Sequence, residues 1–209
     1  MKHIKYYFLI LLIPTFVGGV VYGIKYESSK FEAKTKSFLE REARILEWVV
    51  KKNPNATIKN FNKFPKALLT EAEKINVDYR VLLAMITKES RLDPYAVGVN
   101  GEIGLGQILP ETAKLIAEKL KDTTYEPPNI LKNGRYSSLG SLGDPIFNLH
   151  YTATYLGWQL DEFKTIPISL RAYNRNPKRA KDYRPNDRYA EDIAFITIAL
   201  LQHMDIENR

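Results

Sequence analysis

Cysteine is absent from all 209 residues. That removes disulfides, thiol nucleophiles, Cys-ligated metals and lipid attachment at a cysteine together. Histidine is scarce. His3, His150 and His203 stand far apart and give no metal-ligand spacing, so neither a metal nor another cofactor is expected. Lys and Arg never interleave with aromatics in a regular stripe, and nucleic acid is not an expected partner. The formal charge of +7 favours anionic surroundings without naming them. Convincing runs of alternating residues are also missing, which excludes a large sheet.

One long apolar run is present. Tyr6 to Ile24 is an uncharged stretch of 19 residues. As a helix it would be about 28 Å long, close to the hydrocarbon thickness of a bilayer. Lys2 and Lys5 precede it, so its N-terminus is expected in the cytoplasm. The rival, a cleaved secretory signal, needs a small-residue cleavage site, and VYGIKYESS supplies a poor one. The expectation is a single-pass anchor over 1–26 in the inner membrane, contacting lipid through residues 6–24, with the rest of the chain in the periplasm.

Residues 27–58 read as a helical stalk or linker. Phe31, Phe38 and Ile45 are seven apart, beside Leu39 and Leu46, and Asn53-Pro54-Asn55 ends the pattern. Self-pairing and packing on the following domain both fit. From 59 to 209 every strong periodicity is helical. Helices are expected over Pro65–Ile75, over Tyr79–Ser90 with Asp78 as N-cap, from Pro110 with Glu111 in its first turn, over Asn148–Phe163 and over Arg188–Met204. The domain is mainly α.

Chemistry begins at Glu89. Leu82, Met85, Ile86 and Glu89 share one helix face, so a carboxylate occupies a place where the pattern calls for an apolar side chain. It also lies in the last helical turn, where exposed carbonyls are negative. Desolvation and the dipole both disfavour ionisation, as a general acid requires. A dozen residues on, Gly101, Gly104 and Gly106 lie within six positions and permit close backbone approach.

Together these stretches carry a resemblance. AMITKESRLDPYA (84–96) followed by GEIGLGQILPETA (101–113) resembles the soluble-lytic-transglycosylase domain of the goose-lysozyme-like superfamily. That family reads roughly A-h-h-x-x-E-S-x-h-x-P-x-A, then G-A-x-G-L-M-Q-h-x-P-x-T-A, with h apolar. DPIFN (144–148) with Tyr155-Leu156 is similar to its D-P-x-x-N…Y-L helix. Ala172-Tyr173-Asn174 is similar to the start of A-Y-N-x-G, and Tyr189 to a Tyr near the C-terminus. The blocks keep the family's order over about 65–195.

The resemblance implies a lysozyme-like fold acting on peptidoglycan glycan strands. Glu89 would protonate the oxygen between N-acetylmuramic acid and N-acetylglucosamine, then act as base on the muramic 6-hydroxyl, which closes a 1,6-anhydro ring. No metal or cofactor enters. Ser90, Gln107, Tyr173 and Asn174 match positions lining the glycan groove. Structural roles compete for three of them: a helix C-terminal hydrogen bond for Ser90, backbone bracing for Gln107 and a core aromatic for Tyr173.

Three departures bear on this. Gly106 stands where the family has Met. Asn176, before Pro177, stands where it has Gly. Glu102 replaces a small residue, at a place where c-type lysozymes carry their second carboxylate. Two carboxyls about 5–5.5 Å apart retain configuration, and about 6.5–9.5 Å apart invert it. A muramidase using Glu89 with Glu102 is therefore the enzymatic alternative. A non-catalytic peptidoglycan-binding component of the envelope is the other. The stretch 171–188 carries seven Lys/Arg against two Asp and reads as loops that attract anionic wall polymers or simply as solvated ones. The sequence names no protein partner.

Overall fold

The computed structural model describes residues 30, 32, 35–56, 61–175 and 188–204. The apolar run at 6–24 lies outside them, as does most of the basic stretch, 176–187. No helix among the described residues is long and apolar enough to cross a membrane. The chain divides into two compact units, 1–43 and 44–209. In the first, residues 35–43 are helical and carry an exposed Lys36–Glu40 pair.

The second unit opens with helix α1 over 44–52. Ile45, Trp48 and Val49 of this helix are buried in the unit's core, and Trp48 Nε1 donates to Thr87 Oγ1 at 3.1 Å. Of the apolar stripe read over 27–58, Ile45 is core and Leu46 packs against it, while Phe38 and Leu39 are exposed.

Helix α2 spans Phe64–Lys74 and α3 spans Tyr79–Ser90. Asp78 caps α3, its Oδ1 accepting from Arg80 N at 2.8 Å. Leu82, Leu83, Ala84, Met85 and Ile86 are all fully buried, which makes α3 the central helix. It stops where Arg91 and Leu92 turn left-handed, with φ of 56° and 63°. Glu89 is thereby fixed in the final turn.

Helix α4, Pro110–Leu120, starts on proline with Glu111 in its first turn. A small hairpin follows, β1 Asn129–Ile130 paired antiparallel with β2 Tyr136–Ser138. Helix α5, Pro145–Phe163, begins three residues before the expected Asn148. Asp144 Oδ1 accepts from both Ile146 N and Phe147 N, and Pro145 presets the first turn. Helix α6, Ile166–Asn174, was not expected. Helix α7, Tyr189–Met204, packs on α3, and Lys88 pairs with Asp192 at 2.6 Å between the two. The second unit is mainly α.

Candidate active site

Between α3 and α4 the chain folds on itself. Ile103 pairs with both Val97 and Ile108, and Gly104 N donates to Ala96 O at 2.8 Å. Two glycines are required there by space. A Cβ on Gly106 would run into the Thr152 side chain. One on Gly104, which also has φ +75°, would meet Asn148 and the backbone of Leu142. The glycine that departs from the family pattern thus lets the loop lie directly on α5.

Asn148 holds the loop. It is fully buried; its Oδ1 accepts from Gly106 N at 2.9 Å, and its Nδ2 donates to Ile103 O at 2.9 Å and Leu142 O at 3.0 Å. The opposite side of Gly106 is held by α6, where Tyr173 OH donates to its carbonyl at 2.7 Å.

This construction leaves a groove of about 710 Å³. Glu89, Glu102, Gln107, Tyr173 and Asn174 all line it, together with Tyr155 and Arg175. Ser90 does not share the lining; its Oγ donates to Ile86 O at 3.3 Å within α3. Gln107 lines the groove and also braces the loop, Nε2 donating to Gly104 O at 3.0 Å and Ala96 O at 3.3 Å.

The Glu89 carboxyl is half-buried, and Tyr189 OH donates to its Oε1. Burial pushes its pKa up to about 7. The Tyr189 hydrogen bond and the Lys88 charge pull against that rise, while the Glu102 charge adds to it. Tyr173 and Tyr189 are only 9% and 8% exposed. Burial and then the Glu89 charge hold both phenols well above their ordinary value, so they remain donors.

Glu102 behaves in the opposite way. Slight burial pushes it up, but hydrogen bonds from the Asn100 side chain and from the backbone outweigh that, and its carboxyl sits below the ordinary value. Asn100 grips both oxygens, Nδ2 at 2.7 Å and N at 3.0 Å. One groove therefore holds a carboxyl that keeps its proton near neutrality and one that loses it easily. Among the described residues, no group of three His, Asp or Glu could hold a metal ion.

The model of the transglycosylase SLT domain matches residues 66–196, well over half of the chain. The chain belongs to the SLT family. The chain is 30% identical over 103 residues to membrane-bound lytic murein transglycosylase C of Yersinia enterocolitica, covering 49% of this chain and 26% of that protein. Among solved structures it is similar to an inactive glutamate-to-glutamine mutant of the lytic transglycosylase Slt from Pseudomonas aeruginosa. There the TM-score is 0.53 at 22% identity, over 67% of this chain and 24% of the other. At that identity the likeness speaks for the fold. The chain spans about a quarter of the length of each.

Two residues of the SLT site carried no role in the sequence. Tyr189 lies 100 positions from Glu89, and only the family pattern marks it. Asn148 was visible as the last residue of DPIFN, but its partners are loop carbonyls and an amide that no periodicity indicates.

Proposed function

We propose that this protein is a peptidoglycan lytic transglycosylase with Glu89 as its acid and base. The observation that carries the reading is the Glu89 carboxyl itself. Burial raises it to about 7, and it lies in an open groove of an SLT domain with Tyr189 on its Oε1. A carboxyl in that state delivers its proton to a glycosidic oxygen as the bond to muramic C1 breaks. The resulting carboxylate takes the proton of the muramic 6-hydroxyl while that oxygen bonds to C1. The protein ends as it began, and the product carries a 1,6-anhydro ring. Purified protein should therefore solubilise sacculi without added metal. Sacculi that stay turbid would overturn the reading.

The muramidase alternative has one observation in its favour, the ionised Glu102 in the same groove. Against it stands what Glu102 is doing. Both oxygens are engaged by Asn100, so the side chain closes the 98–102 turn. We expect Glu102→Ala to keep at least about a tenth of the activity and to leave the product type unchanged, since the 6-hydroxyl replaces water and only one carboxyl is needed. A loss of about 1000-fold, with reducing ends in the wild-type digest, would make the protein a muramidase.

The proposal includes an N-terminal anchor over residues 6–24 that places the SLT domain in the periplasm. The run's length and the lysines before it support this, as does the membrane-bound description of the Yersinia relative. Full-length protein should sediment with membranes and resist high salt, and removal of residues 1–26 should release a soluble domain. Periplasmic wild-type protein beginning downstream of Tyr22 would show a cleaved signal instead.

A further inference from the structure

The loop between α3 and α4 brings two acceptor oxygens together in the lining of the Glu89 groove. Gly98, Glu102 and Gln107 all belong to that lining. A Cβ on Gly98 would come closer than 3.0 Å to both Glu102 Oε2 and Gln107 Oε1, so the two oxygens lie over one point of the loop. One nitrogen can therefore reach both at hydrogen-bond length. We propose that Glu102 and Gln107 seat a primary ammonium group carried by the glycan strand, the free 2-amine of a de-N-acetylated hexosamine. The inference rests on the function proposed above and names the strands which that site prefers.

The chemistry of the pair selects such a group. Gln107 directs Nε2 to Gly104 O at 3.0 Å and Ala96 O at 3.3 Å, which fixes the amide and leaves Oε1 beside Glu102. Asn100 Nδ2 donates to Glu102 Oε1 and Asn100 N to its Oε2, and a carboxylate oxygen can accept more than one bond. Slight burial opposes ionisation of Glu102, but hydrogen bonds from Asn100 and the backbone outweigh it, so the carboxyl is charged at neutral pH. The facing oxygens are acceptors alone, and one of them is charged. A sugar hydroxyl or an acetamido N–H brings one proton, whereas an ammonium brings three and a positive charge. A divalent metal ion takes about six oxygens, and no group of three His, Asp or Glu among the described residues could hold one.

The seat is also built in advance. Gly98 N donates to Glu102 O at 2.8 Å and Gly101 N to Gly98 O at 3.1 Å, closing the turn beneath the carboxylate. Its place favours a sugar amine over one from a stem peptide. The pair shares a lining with Glu89, where the strand's rings must lie for the bond to be cut, and the 2-amine is borne on a ring. Glu102 stands where the family pattern has a small residue, so the seat is a feature of this chain.

The test uses peptide-free glycan strands in two forms: partly de-N-acetylated, and the same preparation chemically re-acetylated. Wild-type kcat/KM should be about tenfold higher on the amine-bearing form, the scale of one charge-assisted hydrogen bond. Glu102→Gln keeps the size of the side chain and removes its charge. It should bring the two forms within about twofold of each other, and the ratio cancels any loss of folded protein. Equal rates on the two forms in wild type, or a preference that survives Glu102→Gln, overturns the proposal. Fully acetylated strands with stem peptides, their amines free or blocked, separate the two sources of ammonium. Equal rates on these support the sugar amine, and a preference for the free peptide amine that Glu102→Gln abolishes overturns it. Should the wild type cleave no form, the transglycosylase reading itself fails. Titration calorimetry with the two peptide-free forms then still judges the seat: about tenfold tighter binding of the amine-bearing form, lost in Glu102→Gln, supports it, and equal binding overturns it.

Discussion

Glu89→Gln is expected to slow sacculus digestion by ~100-fold or more while the fold stays intact. The amide keeps the shape and the acceptor for Tyr189 OH but has no proton of the right acidity to give. The wild-type rate should also depend on pH in a definite direction. With Glu89 raised to about 7 from 4.5, the acid form dominates below neutrality, and activity that depends on it should fall as pH rises through about 7. Stability follows the same sign. Between pH 4.5 and about 7 the unfolded chain releases this proton while the folded one retains it. Stability contributed by the neutral group is therefore complete below 4.5 and is lost progressively up to about 7. Glu89→Gln should then be more stable than wild type above neutrality, by up to about 3 kcal/mol, and show little difference near pH 4.5. Urea denaturation across that window measures it. A variant with activity within a few-fold of wild type would end the assignment of Glu89 as the acid.

The second large effect lies in α5. Asn148→Ala should lower stability by about 3–5 kcal/mol, because a buried polar group left without its partner costs about 1–3 kcal/mol and this side chain serves two backbone groups in that position, Gly106 N and Leu142 O. Gly106 N and Leu142 O would lose this partner in a place without exposure, and Thr152 Oγ1 would lose its acceptor, while Ile103 O would keep the bond from Ile108 N. The same loop presents Glu102 and Gln107 to the groove, so activity should fall below what the loss of folded protein explains. A stability change under about 1 kcal/mol would show that the clamp contributes little.

Local rules proved legible where a residue acts on its own neighbourhood. The Asp78 cap, the apolar face of α3 and the proline at the start of α4 each mark a helix end, and those helices begin where the sequence indicates. Asp144-Pro145 carries the same signal for α5, and the helix begins there, three residues before the expected Asn148. Helix α6 is nine residues long with proline in its first turn, too short for a 3.6-residue period to stand out. Ser169 Oγ lies within hydrogen-bond reach of two carbonyls, Thr165 O at 2.7 Å at the start of its own helix and Gln159 O at 3.1 Å on α5, and its one proton serves either.

The site divides along the same line. The unusual placing of Glu89 on an apolar face is a local fact, and it singled out that carboxyl. Its partner Tyr189 arrives from the other end of the chain and could only be reached through the family pattern. Side-chain direction was illegible as well. Ser90 and Gln107 occupy groove positions in the pattern, yet Ser90 bonds back into its own helix and Gln107 divides its role between groove and loop. Nothing in a glycine-rich stretch could tell that Glu102 would be gripped by Asn100.

Mass spectrometry of the muropeptides released from purified sacculi addresses the central claim most directly, because it reads both the bond cut and the end formed. Wild-type protein should release fragments ending in 1,6-anhydro-N-acetylmuramic acid, and Glu89→Gln should release almost none. Fragments with reducing N-acetylmuramic acid ends, or an undiminished yield from Glu89→Gln, would contradict the account.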